Sequence, residues 1–202
     1  MAKTWDDFLP LLQPHLPGCQ IATMKSYLAT TTADFFARTY LWRDDIDAIY
    51  LAPNQVEYDL DADVEVEAVL AVVHEGRQLD HIHERQVPYA TRTDVGTPRA
   101  YWVHSDRTIR VYPVPAERGV MRVTAVLKPS RAGSGVEDWV FETFAETIVS
   151  GTIAQLAMIP NKDWTDVAMA GEHRQRFSAA ITQARVRDWR GVSASVMMRP
   201  AA

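Results

Sequence analysis

The chain has 202 residues, 47% of them hydrophobic and 23% charged, and a formal net charge of −5. That mix excludes wholesale disorder and collagen-like repetition, and size scaling lets about 70% of the unfolded surface be buried, enough for a core without covalent staples. The negative charge argues against a protein that works by neutralising nucleic-acid phosphates.

The acidity is uneven. Residues 1–62 carry four bases (Lys3, Lys25, Arg38, Arg43) against nine acids, while bases and acids balance in 63–129 and again in 130–202. The last stretch holds Arg185, Arg187, Arg190 and Arg199 against Asp188. Opposite charge at the two ends favours head-to-tail contact between copies, with Asp44, Asp45, Arg185 and Arg187 as candidate interface residues. The plain alternative is a solvated surface. No apolar run approaches the roughly 20 residues of a membrane helix. Met1–Asp7 has no apolar stretch of the kind a secretory signal needs, so neither membrane insertion nor export is expected. Cys19 is the single cysteine, which rules out an intrachain disulfide and fits a reducing compartment.

In chain order, three blocks emerge. The first, 1–45, is helical. Thr4 with Asp7 three positions on reads as a helix start, and Pro10 and Pro14 keep that helix short or kinked. After the break at Pro17-Gly18, Ile21, Met24, Leu28, Thr31, Phe35 and Phe36 form one apolar stripe at three- and four-residue steps, predicting a helix over about Gln20 to Leu41. Trp42-Arg43-Asp44-Asp45 closes the block.

The second block, 46–129, changes to period two. Val56, Tyr58 and Leu60 alternate with Glu57 and Asp59; Val64, Val66, Ala68 and Leu70 with Glu65, Glu67 and Val69; Tyr101 and Val103 with Trp102; Ile109 and Val111 with Arg110 and Tyr112; and Val120, Arg122, Thr124 and Val126 make one more row. Turn chemistry at Pro53-Asn54, Glu75-Gly76, Asp94-Val95-Gly96, Ser105-Asp106 and Glu117-Arg118-Gly119 separates them. The pattern predicts an antiparallel sandwich or small barrel. Residues 130–135, with Gly133-Ser134-Gly135, read as a linker.

The third block, 136–190, is helical again: Glu137 to Met158, a break at Pro160-Asn161-Lys162-Asp163, then about Trp164 to Trp189 with Gly191 as C-cap. Residues 191–202 lack a period and read as an extended tail. Neither helical block can bury its stripe alone. The expected fold is therefore α+β: a bundle of about four helices drawn from both chain ends, with the strand module inserted between them.

Candidate chemistry is sparse. His81 and His83, at alternate positions, would share one face of a strand and could hold a divalent metal, with His74 and His104 as possible additions from neighbouring strands. The ordinary reading is a solvated strand face. The sequence marks no further ligand, so no metal and no cofactor is assigned. Gly133-Ser134-Gly135 lacks the setting of a nucleophile elbow, and no phosphate-cradling or dinucleotide-binding glycine motif occurs. Cys19 has no basic neighbour to activate it. Glu172-His173-Arg174-Gln175-Arg176 reads as an exposed helix face. The tryptophans and tyrosines at block edges and on strands read mostly as core, with some available as interface anchors. What remains are the parts of an assembly protein rather than an enzyme.

Several ordered segments bear on this. Leu41-Trp42-Arg43-Asp44, Leu51 to Leu60, Gly76-Arg77-Gln78-Leu79, Pro98 to Trp102, Thr108 to Pro115, Leu127-Lys128-Pro129 and Asp138-Trp139 together resemble the head-to-tail adaptor (connector) proteins of short-tailed bacteriophages over about residues 20–190. The resemblance implies a ring, usually twelve-fold, between the portal and the tail nozzle at the head–tail junction of the virion, assembled in the host cytoplasm. It implies a helical bundle with an inserted β module and no catalytic residues. Genomic DNA would pass through the channel without sequence-specific binding. It also implies that the C-terminal segment grips the portal, here through Trp189, Arg190, Val192, Val196, Met197, Met198 and Arg199. The His81 and His83 pair is not something the family leads one to expect. Other neck parts, a head-completion or tail-terminator protein, stand as the alternative reading, with a metal-dependent enzyme using His81 and His83 behind them.

Overall fold

A computed structural model describes residues 2–60, 65–87, 92–105, 108–130 and 133–189, with backbone alone for Ala2, Ser105 and residues 187–189. The fold is α+β, and the chain divides into two compact units: residues 1–41 with 128–202, and residues 42–127.

The first unit opens with strand β1 (Ala2–Thr4), a 3₁₀ turn (Trp5–Phe8), the single-turn helix α1 (Leu9–Leu12) and a second 3₁₀ turn (Gln13–His15). Asp7 fixes the entry by accepting from the Thr4 N–H at 2.8 Å and the Thr4 hydroxyl at 3.1 Å. The predicted start is thus present, but it nucleates a 3₁₀ turn, and Pro10 and Pro14 at early helical positions break the segment into short turns. Helix α2 (Ile21–Thr39) follows and ends on Tyr40 in the left-handed region, with φ 55°.

The second unit begins with strand β2 (Arg43–Leu51). Asp44 and Asp45 therefore lie on a strand, not at the end of a helix: the left-handed Tyr40 has already turned the chain out of α2. After it come β3 (Glu57–Asp59), β4 (Glu65–His74), β5 (Arg77–Gln78), β6 (Asp80–His81), a 3₁₀ turn (Glu84–Gln86), β7 (Val95–Gly96), β8 (Ala100–Ser105), β9 (Thr108–Tyr112), β10 (Val114–Pro115) and β11 (Gly119–Lys128). One four-stranded sheet has the order β2-β11-β4-β5, and another β3-β9-β8-β6. β7 and β10 pair separately, so the described strands of this unit form two four-stranded sheets and a two-stranded one. The β2–β11, β3–β9, β4–β5 and β8–β9 pairs are antiparallel, and the β6–β8 and β7–β10 pairs are parallel. On β9 the expected row of Ile109 and Val111 is buried, and on β11 the buried residues are Met121, Val123 and Ala125, joined by Val126 and Leu127 at its end. On β8 the expected alternation fails: Tyr101 and Trp102 are both buried, and Val103 is exposed. Val64, expected on the β4 pattern, lies outside the described residues.

The chain re-enters the first unit through β12 (Gly135–Glu137), then helices α3 (Asp138–Leu156) and α4 (Val167–Trp189). The segment expected as a linker thus carries structure. Gly135 pairs with Thr4 across the β1–β12 ribbon. The Trp5 indole N–H donates to the Gly133 carbonyl at 2.6 Å, and the Trp5 backbone N–H to the Ser134 carbonyl at 3.2 Å. Glycine is required at 135 because a Cβ there would run into the Lys3 carbonyl.

Aromatic rings form the core between α2, α3 and α4. Phe35 lies 5.3 Å from Phe36, 5.0 Å from Phe144 and 6.2 Å from Phe177, and Trp139 stands edge-on to Phe36 at 5.7 Å. The three helices approach closely at Gly151, where a Cβ would meet Thr31 Cγ2 at 2.6 Å and Phe177 Cδ2 and Cε2 at 2.8 Å. The weak Thr30-Thr31-Thr32 run stays helical because packing holds it: Thr31 and Thr32 are fully buried, and the Thr32 hydroxyl donates to the Leu28 carbonyl at 2.7 Å.

Candidate functional site

Among the described residues strand β2 lies at the edge of its sheet, the position where a further strand could add. Its register against β11 shifts between Met121 and Val123, where Asp47 and Ala48 together face Arg122. Such a bulge twists the edge, and Asp44, Asp45 and Asp47 add like charge along it, two devices that discourage indiscriminate strand addition. Asp45 is exposed and accepts from its register partner, the Thr124 hydroxyl, at 2.6 Å. Asp44 is half-buried, and one of its oxygens accepts from the Asp45 N–H at 2.9 Å. At the far end of the same strand, Tyr50 is 77% exposed and sits directly opposite Val120, itself 38% exposed. A cross-strand apolar pair of this kind is an unoccupied contact point beside an acidic edge.

Strand β2 escaped the sequence reading because the bulge destroys its alternation: Ile46, Ile49 and Leu51 point inward at steps of three and two. The Tyr50–Val120 pair was legible only in half, through the outward position of Val120 in the β11 period.

On the first unit, α4 buries a single stripe: Ala170, His173, Phe177, Ile181 and Ala184. Off that stripe Arg174, Arg176, Arg185, Val167 and Val186 are exposed, spread around the helix. Arg176 and Glu172 stand 4.0 Å apart and are both exposed, so their attraction is weak and leaves the face open to a partner. Arg185 is where the sequence placed it, on an exposed helical face. The side chains of Arg187 and Trp189, and all of Arg190, Val192, Val196, Met197, Met198 and Arg199, lie outside the described residues.

The histidines were separated by the fold. β6 ends at His81, whose ring stacks edge-on to Tyr101 at 5.2 Å. His83 instead starts the next 3₁₀ turn, its Nδ1 accepting from the Arg85 N–H at 3.2 Å. Asp80-His81 is too short a strand to carry the alternation through to residue 83, so the two rings do not line one strand face. His74 is buried, with Nδ1 3.2 Å from the Val120 carbonyl, and His104 is exposed. Among the described residues, no group of three or more His, Cys, Asp and Glu is placed to hold a metal ion. Burial pushes the Cys19 thiol up from its ordinary value, away from a reactive thiolate.

His173 corrects the reading of 172–176 as an exposed face. Its neighbours are exposed, but its own ring is 8% exposed, because position 173 falls on the same stripe as Ala170 and Phe177. Burial holds its pKa below the ordinary histidine value, with smaller contributions in the same direction from Arg176 and His15.

Among the described residues, no helix is long and apolar enough to cross a membrane. A family model described as SU10 adaptor protein matches residues 4–200, spanning both units. No curated protein matches the chain.

Proposed function

The chain belongs to the SU10 adaptor protein family, a phage adaptor family, and on that footing we propose that it is a structural protein of the virion neck, forming an oligomeric ring between portal and tail nozzle. The observation that carries this reading is the extent of the family match, which runs through both compact units and leaves few residues for another task. The ring is of the twelve-fold kind built by adaptors of short-tailed phages, and it lines part of the channel through which the genome leaves. It works by binding, with no bond made or broken. An acidic channel wall lets DNA slide, because contact with it releases few counterions.

A closed ring needs two different patches per copy. The acidic β2 edge, with Asp44 and Asp45, and the arginines near the end of α4, Arg185 and Arg187 in the sequence, are the candidate patches of opposite sign. The segment 189–202 is the portal-gripping part. Reversing Arg185 and Arg187 to Glu should abolish ring formation in sedimentation velocity while far-ultraviolet circular dichroism keeps its helical signal. Rings of normal size from that variant would remove these arginines from the interface. Imaging of purified chain mixed with portal protein counts the subunits, and a chain that neither closes into rings nor binds the portal would refute the proposal as a whole.

A further inference from the structure

His173 and His15 form a pair that the adaptor function does not use. The His173 ring on α4 is 8% exposed and stands edge-on to His15 of the Gln13–His15 turn, with centroids 5.6 Å apart and planes at 73°. His173 Nδ1 is buried with no hydrogen-bond partner. The charged or titratable groups acting on this ring are Arg176 and Glu172 from α4 itself and His15 from the turn packed against it. Only Glu172 favours a cation, and it is exposed to water.

A neutral imidazole can leave one ring nitrogen as an idle acceptor at modest cost. An imidazolium needs partners for two N–H groups, and here one of them would be buried facing nothing that accepts. The neighbouring His15 ring brings no negative charge to offset a cation on His173 and disfavours it. The ring must therefore reach water, and the part that can yield is the turn rather than the 23-residue helix. That turn is a short, self-contained piece. Pro14 and Pro17 stiffen it, Gly18 at φ 79° ends it, and Leu16 and Cys19 are its buried anchors.

We propose that the His15–His173 contact is an acid-sensitive latch, closed when both rings are neutral, whose protonation releases the segment around residues 13–19 from α4 while the rest of the protein stays folded. Stability from the latch is complete above the unfolded histidine value of about 6.5 and is lost as pH falls through the lower value that His173 has in the folded chain.

Hydrogen exchange followed by mass spectrometry on the full chain, corrected for intrinsic rates, tests this at pH 7.5 and 5.5. Protection of peptides covering 9–20 should fall by up to about tenfold, the limit for a group of unfolded pKa about 6.5 held neutral one unit below it, while peptides in β4 and β11 keep theirs. His173→Leu should abolish the pH dependence in 9–20. His15→Gln, at an exposed position, removes one of the two repelling rings and should reduce the loss without erasing it. Should His173→Leu fail to fold, His15→Gln alone decides. A loss equal to the wild type's in either folded variant, or no local loss in the wild type, would overturn the latch.

Discussion

Gly151 and Gly171 both occupy helix interiors, and replacing each by alanine should shift stability in opposite directions. In an isolated helix alanine is favoured over glycine by about 0.8–1.0 kcal/mol. At Gly171 on α4 an added Cβ meets nothing within 4 Å, so that gain is retained. At Gly151 on α3 it would lie 2.6 Å from Thr31 Cγ2 and 2.8 Å from the Phe177 ring, where ordinary contacts are 3.4–4 Å. Neither neighbour can step aside. Thr31 is β-branched, fully buried, and its hydroxyl accepts from the Gln155 amide at 3.1 Å. Phe177 is wedged against Phe35. The helices must part, and overpacking of this kind costs about 1–3 kcal/mol. Subtracting the propensity gain leaves Gly151→Ala less stable than wild type by about 1 kcal/mol and Gly171→Ala more stable by a similar amount. For a chain of this length each kcal/mol moves Tm by about 2–4 °C. Thermal and guanidinium unfolding followed by circular dichroism reads the ordering directly. A Gly151→Ala protein as stable as Gly171→Ala would mean that the close helix approach at residue 151 does not govern the packing.

Trp5→Phe keeps the buried ring but deletes the 2.6 Å bond to the Gly133 carbonyl; it should cost about 1–3 kcal/mol in denaturant unfolding, since a part-buried acceptor loses its partner. Gly119→Ala drives a Cβ to 2.5 Å from His74 Cε1, and a buried ring bonded to the Val120 carbonyl has little room to retreat, so a loss of about 1–3 kcal/mol is expected in the strand-rich unit. The Asp7 carboxyl, held below its ordinary 3.8 by the Thr4 N–H and hydroxyl, should titrate below that value by carbon-detected NMR. Because the folded value is depressed, its stabilisation is present above 3.8 and disappears as pH falls through the lower folded value. Asp7→Asn should remove that part of the acid response.

Much of the architecture was legible because burial imposes a period. The Met24, Leu28, Phe35 and Phe36 stripe marked α2 nearly to its ends, and the Ile109 and Val111 alternation marked the inner row of β9. What escaped the sequence had no period to read. β2 has a bulge, β1 and β12 are three residues each, and the capping of the turn by Asp7 looks the same in sequence whether a 3₁₀ or an α turn follows. The histidines were misjudged for a related reason. A dipeptide strand ends before His83, and one position on α4 decides whether His173 faces water or Phe177's side of the helix. Surface charge was readable as composition, but which element carries Asp44 and Asp45 depended on where Tyr40 turned the chain.

The first unit is assembled from sequence segments on either side of a complete second one, and this has a consequence for the nascent polypeptide. Residues 42–127 must be translated before β12, α3 and α4 exist, an interval of about 4–17 s at about 5–20 residues per second. During it, Trp5, Phe8, Phe35 and Phe36 leave the ribosome without the helices that will cover them. The strand-rich unit can complete its own hydrogen bonding co-translationally, whereas the helical one must wait for the last third of the message, and its early aromatic segment is where a chaperone would find this chain.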